Sequence, residues 1–91
     1  MGVIMGLYEY KARVMAILLK YKPKTPKEAE YIDVLMRKIN IARTKTLSRF
    51  LMDIYHMRRD PKVSEEFRKM LNSIIPTESE LEAIQKGEEY E

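Results

Sequence analysis

From Leu7 to Tyr21 the apolar positions Leu7, Tyr10, Val14, Ile17, Leu18 and Tyr21 return every three or four residues. That spacing stacks side chains on one face of an α-helix. A second row, Tyr8, Ala12, Met15 and Leu19, lies beside the first and predicts a wide buried face. Lys22-Pro23-Lys24 ends the segment, because the residue before a proline is pushed out of the α region and proline cannot donate to the helix ladder. Thr25-Pro26-Lys27-Glu28 reads as a capping box that opens a second helix, with Thr25 at the N-cap, Pro26 in the first turn and Glu28 three residues on.

Between Pro26 and Arg59 there is no glycine or further proline, and Ile32, Leu35, Ile39, Ala42, Leu47, Phe50, Ile54 and Met57 keep a mostly three-four spacing. This predicts one long helix of about 50 Å at about 1.5 Å per residue. Its weak point is Asn40 to Thr46, where a five-residue step from Ala42 to Leu47 and two threonines mark a place for a bend or break. Arg58 and Arg59 suit the negative end of a helix dipole, and Asp60-Pro61 stops it. Ser64 caps a shorter helix, 65–74, with Phe67, Met70, Leu71 and Ile74 inward. Pro76 ends it, and Thr77 with Glu80 forms another capping box for a helix over 78–86, stopped at Gly87 and followed by a frayed acidic end, 88–91. The expectation is all-α: one domain over residues 1–91, a small up-and-down helical bundle in which helix 7–21 and the two short helices pack along one long central helix, 26–59.

Composition narrows what such a fold can do. At 91 residues the chain holds one core. Cysteine is absent and His56 is the single imidazole, so disulfides, thiolate metal sites and zinc-type ligand spacing are all excluded. No metal or cofactor is expected. Glycine occurs at positions 2, 6 and 87 alone, which argues against hairpin turns and phosphate-cradling loops. No nucleophile elbow or Ser-His-Asp set is present, and paired carboxylates such as Glu65-Glu66 sit at a helix start where the dipole favours them. The reading is therefore a binding protein and not an enzyme. Met1 to Gly6 is too short to open a secretory segment before Glu9, Lys11 and Arg13 intervene, and no run reaches the roughly 20 apolar residues of a membrane span. A soluble, cytoplasmic protein is expected. Charged residues reach 34%, with asparagine at positions 40 and 72 and glutamine at 85 alone, a bias that fits a thermophilic source.

The charge is unevenly placed. Residues 1–63 hold 14 Lys and Arg against 6 Asp and Glu, net +8, and residues 64–91 hold 3 against 8, net −5. On one continuous helix Lys27, Lys38, Lys45, Arg49, His56 and Arg59 form a stripe away from the apolar row. Such a stripe suits phosphates or an acidic partner surface, and equally the solvated face of a charged helix. Arg43 falls inside the apolar row on the same wheel. There it must snorkel, pair with a carboxylate, lie under a partner, or be released by a break in the helix. The candidate partner- or phosphate-binding residues are thus Lys27, Lys38, Arg43, Lys45, Arg49 and Arg59. Tyr8, Tyr10, Tyr21, Phe50 and Phe67 lie on or beside apolar rows, so core packing accounts for them better than base stacking. Helix-turn-helix readers usually carry a short glycine-containing turn, which is missing here.

Across MRKINIARTKTLSRFLMDIYHMRRDPKVSEEFRKML, Met36 to Leu71, the chain resembles a small helical accessory subunit of the archaeal replicative B-family DNA polymerase. The resemblance implies a non-catalytic subunit that docks on the polymerase catalytic chain, stabilises the assembly and modulates DNA synthesis. Arg49 to Ile84 is similar, more weakly, to the helical domain of GINS replication proteins, without the β-rich companion domain of that family. Neither resemblance assigns a role to a particular residue. Two other readings stand beside it: a free-standing basic protein that binds nucleic acid through its phosphates, and a homo-oligomer whose apolar rows face copies of itself.

Overall fold

A computed structural model describes residues 6–88. It places them in α1 (Gly6–Lys20), α2 (Pro26–Ile41), a 3-10 turn (Thr44–Thr46), α3 (Leu47–Arg58), α4 (Glu65–Ile74) and α5 (Glu78–Glu88). The fold is all-α, with no strand among the described residues. α5 runs through Gly87 to Glu88 and does not stop at Gly87, and residues 89–91 of the expected acidic end lie outside the described residues.

The single long helix over 26–59 does not exist. α2 ends at Ile41, and Ala42 (φ −66°, ψ 141°) and Arg43 (φ −125°, ψ 169°) are extended. The break falls inside the faltering stretch, and its cause is burial. A continuous helix carries Arg43 into the core. Two extended residues instead leave both Ala42 and Leu47 buried and turn Arg43 outward. Beyond the break α3 folds back on α2. Tyr31 bonds Asp60 and Lys38 bonds Asp53, pairs two turns apart on both helices, so the two run antiparallel. The longest dimension is 41 Å, shorter than the rod the pattern implied.

α1 takes the central place instead. It packs on α2, α4 and α5. Its main row is buried at Leu7, Tyr10, Val14 and Leu18, but the second row is not: Tyr8 and Leu19 are exposed and Met15 only half-buried. The buried face of α1 is therefore narrower than its two apolar rows suggest. Gly6 lies against α5, where an added Cβ would stand 2.5 Å from the carbonyl carbon of Ala83. We expect Gly6→Ala to destabilise the protein by about 1–3 kcal/mol, the usual cost of overpacking, despite alanine's better helix propensity. Thermal unfolding will show this, and a variant with unchanged or higher Tm would mean that α5 yields at no cost.

The scarcity of glycine has a structural consequence. Helices commonly close on a left-handed glycine that satisfies their last carbonyls, and here long side chains from other elements do that work. Lys11 Nζ donates to the carbonyls of Asn40 (3.0 Å) and Ala42 (2.9 Å) at the end of α2. Arg68 donates to Arg58 (2.9 Å) and Asp60 (2.8 Å) at the end of α3. Arg13 reaches the Ser73 carbonyl (2.7 Å) and the Tyr10 hydroxyl that of Ile74, closing α4. Starts use local caps as expected: Ser64 accepts from Phe67 N–H (3.2 Å), and Thr77 and Glu80 form the full reciprocal box. Glu80 also holds Arg13 in a two-pronged ion pair.

Candidate interaction surface

The cations divide into those the fold consumes and those it leaves over. Lys11, Arg13 and Arg68 close helices, as above. Lys27, expected on the stripe, is half-buried, pairs with Glu30 (3.4 Å) and sits over the Tyr31 ring (5.4 Å). Lys38 is tied to Asp53, Arg37 to Asp33, and Arg58 to Asn72 and the Tyr55 ring. Among the described residues Arg43, Lys45, Arg49 and Arg59 are exposed and make no ion pair or side-chain hydrogen bond, and the same holds for Lys20, Lys22, Lys24, Lys62, Lys69 and Lys86. The predicted stripe is thereby cut. The α2–α3 hairpin carries Lys27 and Arg59 to one end of the molecule and Lys38, Arg43, Lys45 and Arg49 to the other, around the break.

At that broken corner stands Ile41, the last residue of α2 and 74% exposed. On one side a hollow of about 260 Å³ is lined by Lys38, Ile41, Ala42, Thr46, Arg49 and Phe50. On the other, a more polar one of about 540 Å³ runs past Tyr8, Lys11, Asn40 and Arg43. The 3-10 turn is pinned from within, Arg43 N–H donating to Thr46 Oγ1 (3.0 Å) and Thr46 N–H to the Arg43 carbonyl (3.0 Å). With Lys11 clamping the end of α2, the corner is held on both flanks. Sequence reasoning missed Ile41, although its signal was available: an apolar residue that falls off the buried row beside Asn40.

The opposite end is organised by Glu28, which is fully buried although charged. It was expected to reach back to its own N-cap. Thr25 Oγ1 does accept from Glu28 N–H (3.1 Å), but the carboxylate is turned inward. It accepts from Lys24 N–H (2.9 Å), the Tyr21 hydroxyl (2.7 Å) and Ser64 N–H (2.6 Å), joining α1, the loop before α2 and the start of α4. Burial by itself raises its pKa, but these three donors outweigh burial and hold it at about 2. Burial and the neighbouring carboxylate push the Tyr21 hydroxyl up to about 12. This cluster is a structural joint: it faces inward and its donors are all used.

No protein family, curated protein or solved structure matches the chain. Among the described residues no group of three or more His, Cys, Asp or Glu side chains is placed to hold a metal, and no helix is long and apolar enough to cross a membrane. What the surface offers chemically is an apolar knob between two hollows, rimmed by cations.

Proposed function

We propose that the chain is a non-catalytic accessory subunit that docks on a larger protein of DNA replication, the catalytic chain of a B-family DNA polymerase, through the corner at Ile41. The observation that carries this reading is Ile41 itself. Fully burying such a side chain contributes about 1.5–3 kcal/mol, yet the fold leaves it in water on a clamped helix end. Interface centres have this make-up, a rigid apolar anchor with arginines near it and polar groups at the rim. The unpaired Arg43 selects a partner surface bearing carboxylates. The polymerase as partner comes from the sequence resemblance over Met36 to Leu71, the stretch that contains this corner.

The test mixes the purified chain with the B-family catalytic chain of the same source and follows co-elution and primer extension. A stable complex with altered product length is expected. Ile41→Asp should weaken it by about 2 kcal/mol or more, roughly thirtyfold, while keeping the helix content and lowering Tm by a few degrees at most, because a carboxylate at the end of α2 opposes the helix dipole. Separate elution of the two wild-type chains at micromolar concentration would end this reading.

A further inference from the structure

α3 presents an outward face whose make-up is hard to account for by solvation alone. From Arg37 to Arg59 there are seven Lys and Arg and one acidic residue, Asp53, which is bonded to Lys38. Solvated helix faces usually interleave both signs, because i,i+4 pairs of opposite charge stabilise a helix and like pairs oppose it. Here Lys45, Arg49, Met52, His56 and Arg59 succeed one another every three or four residues, all exposed, with no carboxylate among them. Arg49 to Arg59 spans about 15 Å at about 1.5 Å per residue. Duplex DNA carries a closely spaced row of phosphates along each strand, so a cation row of this length can face more than one of them.

We propose that the outer face of α3, with the 3-10 turn before it, lies along the phosphate backbone of duplex DNA, with Lys45 of that turn, Arg49 of α3 and Arg59 at its C-terminal cap as the phosphate contacts and no reading of base sequence. The array is linear, repeats once per turn and consists of long flexible side chains, which suits a regular line of negative charge. An acidic protein patch would call for a broad apolar centre; this face has Met52, 58% exposed, alone among its cations, and Ile41 stands at its edge. The side chains of Lys45, Arg49 and Arg59 close no helix and pair with no carboxylate among the described residues, so nothing in the fold accounts for a row that runs from the broken corner at Lys45 and Arg49 to the opposite end at Arg59. This contact does not depend on the accessory-subunit reading, because the isolated chain carries it.

Fluorescence anisotropy of a labelled random-sequence DNA duplex, titrated with the purified chain at several salt concentrations, tests it. Three phosphate contacts predict a slope of log K against log salt of about −3, the same for unrelated duplex sequences. The double reversal Lys45→Glu/Arg59→Glu should weaken binding about tenfold or more at low salt and flatten the slope by about 2. The reversal Lys69→Glu/Lys86→Glu removes the same net charge from exposed positions on α4 and α5 and should change binding less than twofold. Circular dichroism verifies that both variants keep the wild-type helix content. Any of three results overturns the proposal: no duplex binding, equal weakening by the two reversals, or equal binding of polyglutamate and duplex.

Discussion

Glu28→Gln is expected to cost about 2–4 kcal/mol at neutral pH, because a hydrogen bond to a charged acceptor is worth more than a neutral one and a buried donor left unpaired adds its desolvation penalty. The amide can accept through one oxygen only, and its NH₂ would confront Lys24 N–H or Ser64 N–H, both of which now donate to the carboxylate. The pH dependence gives a second readout. The folded state holds Glu28 at about 2, below its ordinary value of 4.5. A depressed carboxyl pKa contributes stability that is fully present above the unfolded value and disappears as pH falls through the folded one. Wild-type stability should therefore drop from about pH 4.5 towards pH 2, and the glutamine variant should lack that part of the drop, so the two proteins converge in acid. Urea unfolding at neutral pH and near pH 3 measures both. A constant gap between the two proteins at all pH values would mean that the charge on Glu28 is not what joins α1, α2 and α4.

Phe67→Ala is expected to be the most damaging single truncation, about 3–5 kcal/mol. Phe67 is fully buried and is contacted by two aromatic rings, Tyr21 edge-on at 5.5 Å and Tyr31 stacked at 6.2 Å between centroids. Those two tyrosines belong to the same end of the molecule as the Glu28 joint, Tyr21 through its hydroxyl and Tyr31 through Asp60 (2.5 Å). Removing the ring opens a cavity where α4 meets Tyr21 and Tyr31. A domain of this length has a total stability of about 5–14 kcal/mol, so the variant should sit near the threshold of folding, which calorimetry will register as a large fall in Tm. A loss of less than about 1 kcal/mol would show that the tyrosines close over the space.

Most helix boundaries were legible because they are local. Pro23, Pro61 and Pro76 interrupt the ladder wherever they stand, and Thr25, Ser64 and Thr77 offer oxygen to the first free N–H groups whatever the rest of the chain does. The break at Ala42-Arg43 was legible only as a weakness. Whether a five-residue step becomes a bend or a reversal depends on what the two halves gain by packing on each other, and on Lys11, 29 residues away from Asn40, being in reach of the freed carbonyls. The candidate surface divides in the same way. That Arg43, Lys45, Arg49 and Arg59 bear charge is read directly from the chain. That they are unpaired while Lys27 and Lys38 are not follows from which acids the folded helices bring near.

The apolar periodicity and the caps by themselves determined that this protein is helical and where most of its helices begin, since both act within one or two turns. The tertiary structure alone decided that α1 is the central helix, that the long apolar row folds into a hairpin, and that Ile41 is left in water. Those outcomes arise between residues far apart in the chain, where burial and the satisfaction of free carbonyls outweigh the preferences of any single segment.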